Sequence, residues 1–493
     1  MNSPGTAETV QTTKPAVDSQ TSQTKPAAYS AKTKIGLVLG PVVALAIWFA
    51  PMKIAPNPKH ALAITAFMVI YWMFEPIDYG LTGLAGCFLY WALHVTSFAT
   101  AFSGFADNTP WFLFGTLILG EAAARTGLAS RIGYGIMGVM GTSYSRLLLS
   151  VIILVFILNF LVPSGLAQLA IVAPMLLGVM AVFGVGKGSN IGRGMFIILS
   201  YTCGLFNKAI LAGGASVLTR GLVEKMTGHA ISWDQFFVAY LPVDPLTILA
   251  CWLTILWLYP PEKKELPGGR KFMKDKLHEL GPWTANQKKT LFWLLFAIVI
   301  WATDALHGIN PAVVALGVGL AVTMPVIGVL TKKDVTSINF LLIIFMGTVL
   351  GMGSVLIQTK ALDTLTSVAM SVMAPMLGHT FRGATALYWT GIVYHFALAS
   401  ELSMLSTGLP VIINFAQAHG YNPTTAALLW NFASGGKMFV YQSAVLMFGY
   451  GFGYFESKDM LKVGAVLTVV EGILVMIIVP LYWPLIGLHW LLR

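Results

Sequence analysis

Val162-Pro163-Ser164-Gly165-Leu166-Ala167-Gln168-Leu169-Ala170 places proline, serine, glycine and glutamine inside an otherwise apolar run from about 147 to 183. Pro174 stands ten residues beyond Ser164. The same frame returns late in the chain: Ser400-Glu401-Leu402-Ser403-Met404 interrupts the run from Tyr388 to Asn414, and Pro410 follows Ser400 by ten residues. Irregular backbone at membrane depth is tolerated only where protein or a water-filled cavity satisfies its N–H and C=O groups. Two matched breaks, one in each half, therefore predict a binding site near the bilayer midplane.

Composition supplies the membrane. Of 493 residues 56% are hydrophobic and only 10% are charged, far from the balance of a soluble globular chain. Apolar spans fall at 35–51, 60–76, 79–97, 110–124, 196–218, 236–259, 290–305, 311–330, 338–357, 426–452 and 462–491, which gives eleven candidate crossings. The two interrupted regions, 147–183 and 384–417, are each long enough at ~1.5 Å per residue for a down-and-back pair of half-length helices. The expected fold class is an all-α polytopic membrane protein of eleven transmembrane helices plus two re-entrant helical hairpins, in an inverted-repeat transporter arrangement.

Thirty basic and twenty acidic residues give a net charge of +10, but the basic residues sit in short loops and form no aromatic-interleaved patch, so no nucleic-acid partner is expected. With the N-terminus inside, the loops carrying Arg125, Arg131 and Arg146, Lys187 and Arg193, Lys332 and Lys333, and Lys458 and Lys462 all face the cytoplasm. The stretch 260–289, with eight lysines and arginines, is read as a basic cytoplasmic linker. This satisfies the positive-inside rule and puts the C-terminus on the periplasmic side. Residues 1–33 are polar, without the apolar block of a cleavable signal, and read as a disordered cytoplasmic tail of a bacterial inner-membrane protein. Cys87, Cys203 and Cys251 are far apart and read as packing residues.

The halves, 34–259 and 290–493, resemble each other ahead of the breaks. Gly115-Thr116-Leu117-Ile118-Leu119-Gly120 leads to Thr126-Gly127-Leu128, and Gly347-Thr348-Val349-Leu350-Gly351 leads to Thr359-Lys360-Ala361-Leu362. The intervals to the hairpin serines are 38 residues from Thr126 to Ser164 and 41 from Thr359 to Ser400. With an odd number of crossings per half, this is an inverted-topology duplication, the usual basis of alternating access.

Trp111, Glu121 and Thr126-Gly127-Leu128-Ala129-Ser130-Arg131, the two hairpin tips, and the closing run from Gly449-Tyr450-Gly451 through Lys458-Asp459 to Pro484-Leu485-Ile486-Gly487 together resemble the divalent anion/sodium symporter family of carboxylate and sulfate carriers. The likeness covers nearly the whole chain after the tail. In that family each tip carries Ser-Asn-Thr, which binds sodium and substrate carboxylate, and a discontinuous helix in each half completes the site. Here the tips read Ser164-Gly165-Leu166 and Ser400-Glu401-Leu402: the serines remain, and the asparagines and threonines do not. The resemblance places the discontinuous helices near 206–216 and 431–440, each with adjacent glycines and one lysine, Lys208 and Lys437. It also implies a homodimer. If sodium is kept, the resemblance places it near Ser164, Gly213, Ser400 and Gly435, and no other metal or cofactor is expected.

Helix N-termini converging on one cavity present orphan N–H groups and partial positive charge to an anion. The candidate substrate-binding residues are Ser164, Gly165, Gln168, Asn207, Lys208, Gly213, Ser400, Glu401, Ser434, Gly435 and Lys437. A lysine at mid-bilayer costs ~2.5 to 3.5 kcal/mol, so it either faces the cavity and a carboxylate or snorkels to the headgroups. Glu401, in the place of an asparagine, is the candidate coupling group: it takes up a proton in one step or pairs with Lys437 when the cavity is empty. His395 reads as a packed hairpin residue, and Glu121 is expected to pair with Arg125 one turn on.

The function expected is secondary transport of a small divalent organic anion of the C4-dicarboxylate type, as an anion exchanger or with H+ as coupling ion. Sodium-coupled symport of carboxylates or sulfate is the alternative, and an anion channel is the reading from another class. An enzyme is not expected, since the chain has no phosphate-cradling loop and no metal-ligand spacing.

Overall fold

The computed structural model describes residues 31–141, 143–162, 164–182, 184–209, 213–263, 269–364, 380–397 and 401–491. Among them the regular elements are helices, with one isolated bridge between Tyr421 and Leu491.

The interrupted stretch around Ser164 separates helices Tyr144–Leu161 and Gly165–Val182. Val162 is extended (φ −133°, ψ 90°), and helix resumes within three residues. The late stretch separates Thr380–Ala397 from Glu401–Ala418, with 398–400 outside the described residues. Pro174 and Pro410 lie inside the second helix of each pair. The first discontinuous helix consists of Asn190–Ala209 and Gly214–Thr227. The second runs Pro423–Ala433, then an irregular loop, a single 3-10 turn Val440–Gln442, and Ala444–Gly451.

Five described helices are long and apolar enough to cross a membrane: Ala31–Phe49, Tyr144–Leu161, Trp233–Leu258, Phe340–Gln358 and Ser457–Leu481. The pair Asn108–Arg125 and Leu128–Met140 qualifies as a sixth, bent by 63°. Gly127 makes the bend at φ +73°, a left-handed backbone that side chains with a Cβ rarely adopt. The region after Arg125, expected as a loop, thus holds a helix that buries Leu128, Ala129 and Met137. Thirteen residues with an arginine are too few to register as a crossing, so hydropathy alone reads them as connection. The span expected over 311–330 is helical only to Ala321, since Pro325 cannot continue a helix. The last span begins earlier, at Ser457 behind a Glu456/Asp459 capping box, and ends at Leu481 before the 3-10 turn Trp483–Ile486.

The linker is more than a tether. It contains helix Gly269–Glu279, whose Met273 is buried and whose Phe272 ring lies where a Cβ on Gly178 of the first hairpin would reach. Arg131, buried on the bent helix, secures the end of this linker helix. Its guanidinium donates to Gln287 Oε1 (3.0 Å) and to the carbonyls of Leu280 (2.9 Å), Gly281 (2.8 Å) and Pro282 (3.2 Å), and it lies over the Trp283 ring. Glu262 caps the crossing helix that carries the first break, accepting from Asn190 N (2.5 Å) and Ile191 N (3.3 Å). Burial alone pushes its carboxyl upward, but those amides hold it below the usual carboxylate range. The Glu121–Arg125 pair forms as expected, at 2.6 Å.

Candidate functional site

The first tip is built by its own hydrogen bonds. Ser164 Oγ accepts from Ala167 N (3.4 Å), capping the helix that starts at Gly165, and Ser164 O accepts from Gln168 N (2.9 Å). Gln168 is fully buried, and its Nε2 donates to Asn159 Oδ1 (2.8 Å) and Val162 O (2.6 Å). Both amide hydrogens are therefore used to fasten one arm of the hairpin to the other. A Cβ on Gly165 would stand 2.5 Å from Cys203 O and 3.0 Å from Val445 Cγ2. Only glycine lets the tip seat against the crossing helix of the first half and the helix following the second break.

The second break is fixed by its own Ser434 and Gln442 side chains and by contacts from three other elements. Ser434 Oγ donates to Asn431 O (2.7 Å) and Gly435 N to Phe432 O (2.8 Å), finishing the helix Pro423–Ala433. Gln442 Oε1 accepts from Met438 N and Phe439 N, each at 2.8 Å, while its Nε2 reaches His395 O (3.5 Å) in the second hairpin. Tyr201 OH, from the crossing helix of the first half, donates to Lys437 O (2.5 Å). Gly464 completes this wall, because a Cβ there would lie 2.4 Å from Lys437 O and 2.7 Å from Met438 Cα.

Lys437 lies at the centre. Its Nζ donates to Glu401 Oε2 at 2.5 Å, and the two side chains are 1% and 16% exposed. A Cβ on Gly204 would lie 3.7 Å from the same Nζ, and one on Gly214 would lie 3.8 Å from Leu402 Cδ2. The two hairpin tips and the two breaks thus form one cluster: Gly165 from the first tip, Gly204 and Gly214 flanking the first break, Glu401 and Leu402 from the second tip, and Lys437 and Val445 from the second break.

Helices beginning at Gly165, Gly214, Glu401 and Ala444 all start in this cluster, each with orphan N–H groups at its first turn. Such an array, with one buried ammonium, suits an anion whose oxygens accept several hydrogen bonds. Glu401, in the first turn of its helix, sits where those dipoles favour a carboxylate, and its oxygen holds the lysine. Gly213 is buried and accepts from Val217 N (2.8 Å) as the residue before the second half-helix. Asn207 and Lys208 close the helix Asn190–Ala209, but their side chains, like all of Ser400, lie outside the described residues. Among the described residues no group of three His, Cys, Asp or Glu could hold a metal ion.

Tyr201, Gln442 and Gly464 escaped the sequence reading. Gln442 left a faint signal, a lone amide between the break and the next apolar helix. Tyr201 and Gly464 left none, since aromatic and glycine residues abound in every span.

The family model described as the sodium:sulfate symporter transmembrane region matches residues 31–489. Dicarboxylate transporter 1, chloroplastic, of Spinacia oleracea is 24% identical over 90% of this chain and 79% of that protein. The citrate/succinate antiporter of Escherichia coli strain K12 is 24% identical over 93% of this chain and 99% of that protein. Among solved structures, that of Neisseria gonorrhoeae MtrF, titled as one of a class of antimetabolite efflux pumps, superposes with a TM-score of 0.54 over 92% of this chain and 96% of its own. At 11% identity that likeness concerns the fold.

Proposed function

We propose that this chain, which belongs to the sodium:sulfate symporter transmembrane family and is a multi-pass membrane transporter and not an enzyme, carries small divalent organic anions of the C4-dicarboxylate type by alternating access. The observation that carries this reading is the buried Lys437–Glu401 contact at the meeting point of both tips and both breaks. The dicarboxylate and citrate/succinate relatives support the substrate class.

The pair supplies a mechanism. In the empty site Glu401 neutralises Lys437, so that charge does not bar the empty carrier from reorienting. An arriving dianion places one carboxylate on the Lys437 ammonium and the other against the helix N-termini and the Ser164 and Ser400 hydroxyls. Glu401, displaced, would then add a further negative charge to a site that already holds two. Proton uptake by Glu401 removes that charge, so one proton accompanies each substrate. Gly213 offers a backbone donor at the first break, while Ser434 and Gly435, whose N–H groups bond Asn431 O and Phe432 O, shape the second.

Exchange is the second reading, favoured by the relative named as an antiporter; in it Glu401 takes up no proton and the carrier crosses only when loaded, for a reason other than net charge in the empty site. Sodium coupling, which the family description names, would use backbone carbonyls near Gly213 and Gly435 with the tip serines. We place the protein in a bacterial inner membrane, N-terminus cytoplasmic and C-terminus periplasmic, as a homodimer joined outside the moving hairpins.

The test is uptake of radiolabelled succinate into proteoliposomes, with and without internal succinate, under separately imposed proton and sodium gradients. Uptake driven by an inward proton gradient and lost in Glu401→Gln is expected. Uptake that requires internal succinate and ignores both gradients would establish exchange, and uptake driven by sodium alone would remove the coupling role from Glu401.

A further inference from the structure

The chain passes between two packed bodies at two turns that are bonded to each other. In the first body, helix Asn108–Arg125 lies against Pro311–Ala321, where a Cβ on Gly115 would stand 2.3 Å from Ala315 O. Its Phe112 meets Trp301 of Ala285–Ala302 edge to face, with ring centroids 6.0 Å apart. The second body is the first hairpin with two surface helices. A Cβ on Gly133 of Leu128–Met140 would lie 2.8 Å from Met175 Sδ and 3.4 Å from Leu154 Cδ2, one on each hairpin arm. Phe272 and Met273 of the linker helix lie where Cβ atoms on Gly178 and Gly138 would reach. Packing this close holds the members of each body in place.

The backbone crosses between the bodies at Thr126-Gly127 and again at 280–284. Each crossing has a glycine in left-handed backbone, Gly127 at φ +73° and Gly281 at φ +63°. A glycine just past a helix is an ordinary stop. Two further observations set these turns apart. Gln287 Nε2 donates to Thr126 O (3.1 Å) while its Oε1 accepts from Arg131 Nε (3.0 Å), and Arg131 Nη2 holds the carbonyls of 280–282. Each turn is thus tied to the other through two buried side chains. The matched turn of the second half, Thr359-Lys360-Ala361, repeats the conformation without the glycine. Lys360 stands at φ +58°, and its N–H reaches Ile357 O at 3.1 Å, as that of Gly127 reaches Ala124 O at 3.1 Å. Thr126 and Thr359 repeat the same hydroxyl bond one turn back, to Ala122 O (2.8 Å) and Val355 O (2.7 Å). A lysine held where left-handed backbone costs it energy shows that the duplication repeats the geometry itself.

We infer that the turns at Gly127 and Gly281 form one hinge for the movement of the first hairpin, and that Arg131 and Gln287 are positioning residues that make the two turns rotate together. The inference rests on the alternating-access reading above. A hinge motion is absorbed by φ and ψ changes at a few residues, and glycine accepts them at the least steric cost. A single free turn would let the hairpin body swing in many directions. Two turns bonded side by side leave one direction, about the line that joins them. Arg131 and Gln287 make their described bonds within this joint, so they act on reorientation and leave substrate affinity alone.

Gln287→Glu isolates the tie, because a carboxylate still accepts from Arg131 and from Thr284 N but has no hydrogen for Thr126 O. With saturating succinate on both sides of a proteoliposome, exchange by Gln287→Glu is expected to fall about fivefold, the weight of one hydrogen bond in a rate. The succinate Kd is expected to stay within about twofold of wild type, as for a site with no shared partners. Unchanged exchange, or a loss of affinity that matches the loss of rate, overturns the positioning role. Pulsed electron–electron double resonance tests the joint without transport, between spin labels on Val139→Cys and Val313→Cys, exposed sites on the second and first body; the three native cysteines are buried. The distance distribution is expected to broaden when Gln287→Glu is added. Equal widths overturn the hinge, even where Gln287→Glu carries no succinate. Wild type that passes succinate without saturation or trans-stimulation refutes the alternating-access reading and the rate prediction with it, while the spin-label widths still decide whether the turns are tied.

Discussion

Glu401→Gln removes the group that competes with substrate for Lys437, and its effect on binding should have the opposite sign to that of Lys437→Met. At 2.5 Å a unit pair gains about 6 to 7 kcal/mol at an effective dielectric of 20. Desolvation of the lysine, which is 1% exposed, and the partial exposure of Glu401, at 16%, consume most of that gain. Coupling energies measured for close charge pairs begin near 1.5 kcal/mol, so a net of about 2 kcal/mol is a fair working figure, or about thirtyfold in Kd. Glu401→Gln should therefore bind succinate about thirtyfold more tightly than wild type at neutral pH. Lys437→Met should bind it at least about thirtyfold more weakly, since it loses the only described ammonium in the cluster while the Glu401 carboxylate stays. Isothermal titration calorimetry in detergent, at pH 7 and fixed ionic strength, reads both values on equal footing. A merely structural ion pair predicts weakening in both variants, through a disordered second tip. Two changes of the same sign would refute the displacement mechanism, whatever their size.

Gly464→Ala places a methyl within 2.4 Å of Lys437 O, where backbone must move, and should abolish succinate uptake while destabilising the protein by about 1 to 3 kcal/mol. Gly204→Ala, whose methyl would meet the Lys437 Nζ at an ordinary 3.7 Å, is the control and should transport within about twofold of wild type. Arg131→Ala strands the carbonyls of Leu280, Gly281 and Pro282 and should lower stability in detergent by about 2 to 4 kcal/mol by thermal unfolding. Arg131→Lys should recover less than half of that loss, because an ammonium cannot spread donors over three carbonyls and Gln287. Gln168→Ala should cost about 1 to 3 kcal/mol of stability and leave the ratio of succinate to sulfate affinity unchanged, since its amide hydrogens are used inside the hairpin; a changed ratio would make it a substrate contact.

Much of the architecture was legible because a bilayer punishes irregularity. Proline, serine and glycine in the middle of an apolar run must mark a break, and matched frames around Ser164 and Ser400 mark a pair of them. Lys437 and Glu401 stood out for the same reason: each is too expensive at that depth to be without purpose, and the structure brings them together. Gln168 shows the limit of this reasoning. Its polarity singled it out, but whether its amide faced a ligand or the neighbouring arm depended on the register of Tyr144–Leu161 against Gly165–Val182. The docked linker helix was obscured by its many lysines, which read as a solvated connection, while Phe272 and Met273 supply the face that packs.

The sequence by itself determined the membrane class, the family, the internal duplication and the few residues whose burial needed an explanation, because these follow from composition and from local violations of apolarity. The tertiary structure alone decided partnership. Glu401 meets Lys437 across 36 residues, Tyr388 meets Glu471 across 83, and Tyr201 supports Lys437 across 236. In water, an amphipathic stripe tells which face of a helix turns inward. Within lipid both faces are apolar, so the rotation and depth of each helix, and with them every contact in the site, are set by packing between helices.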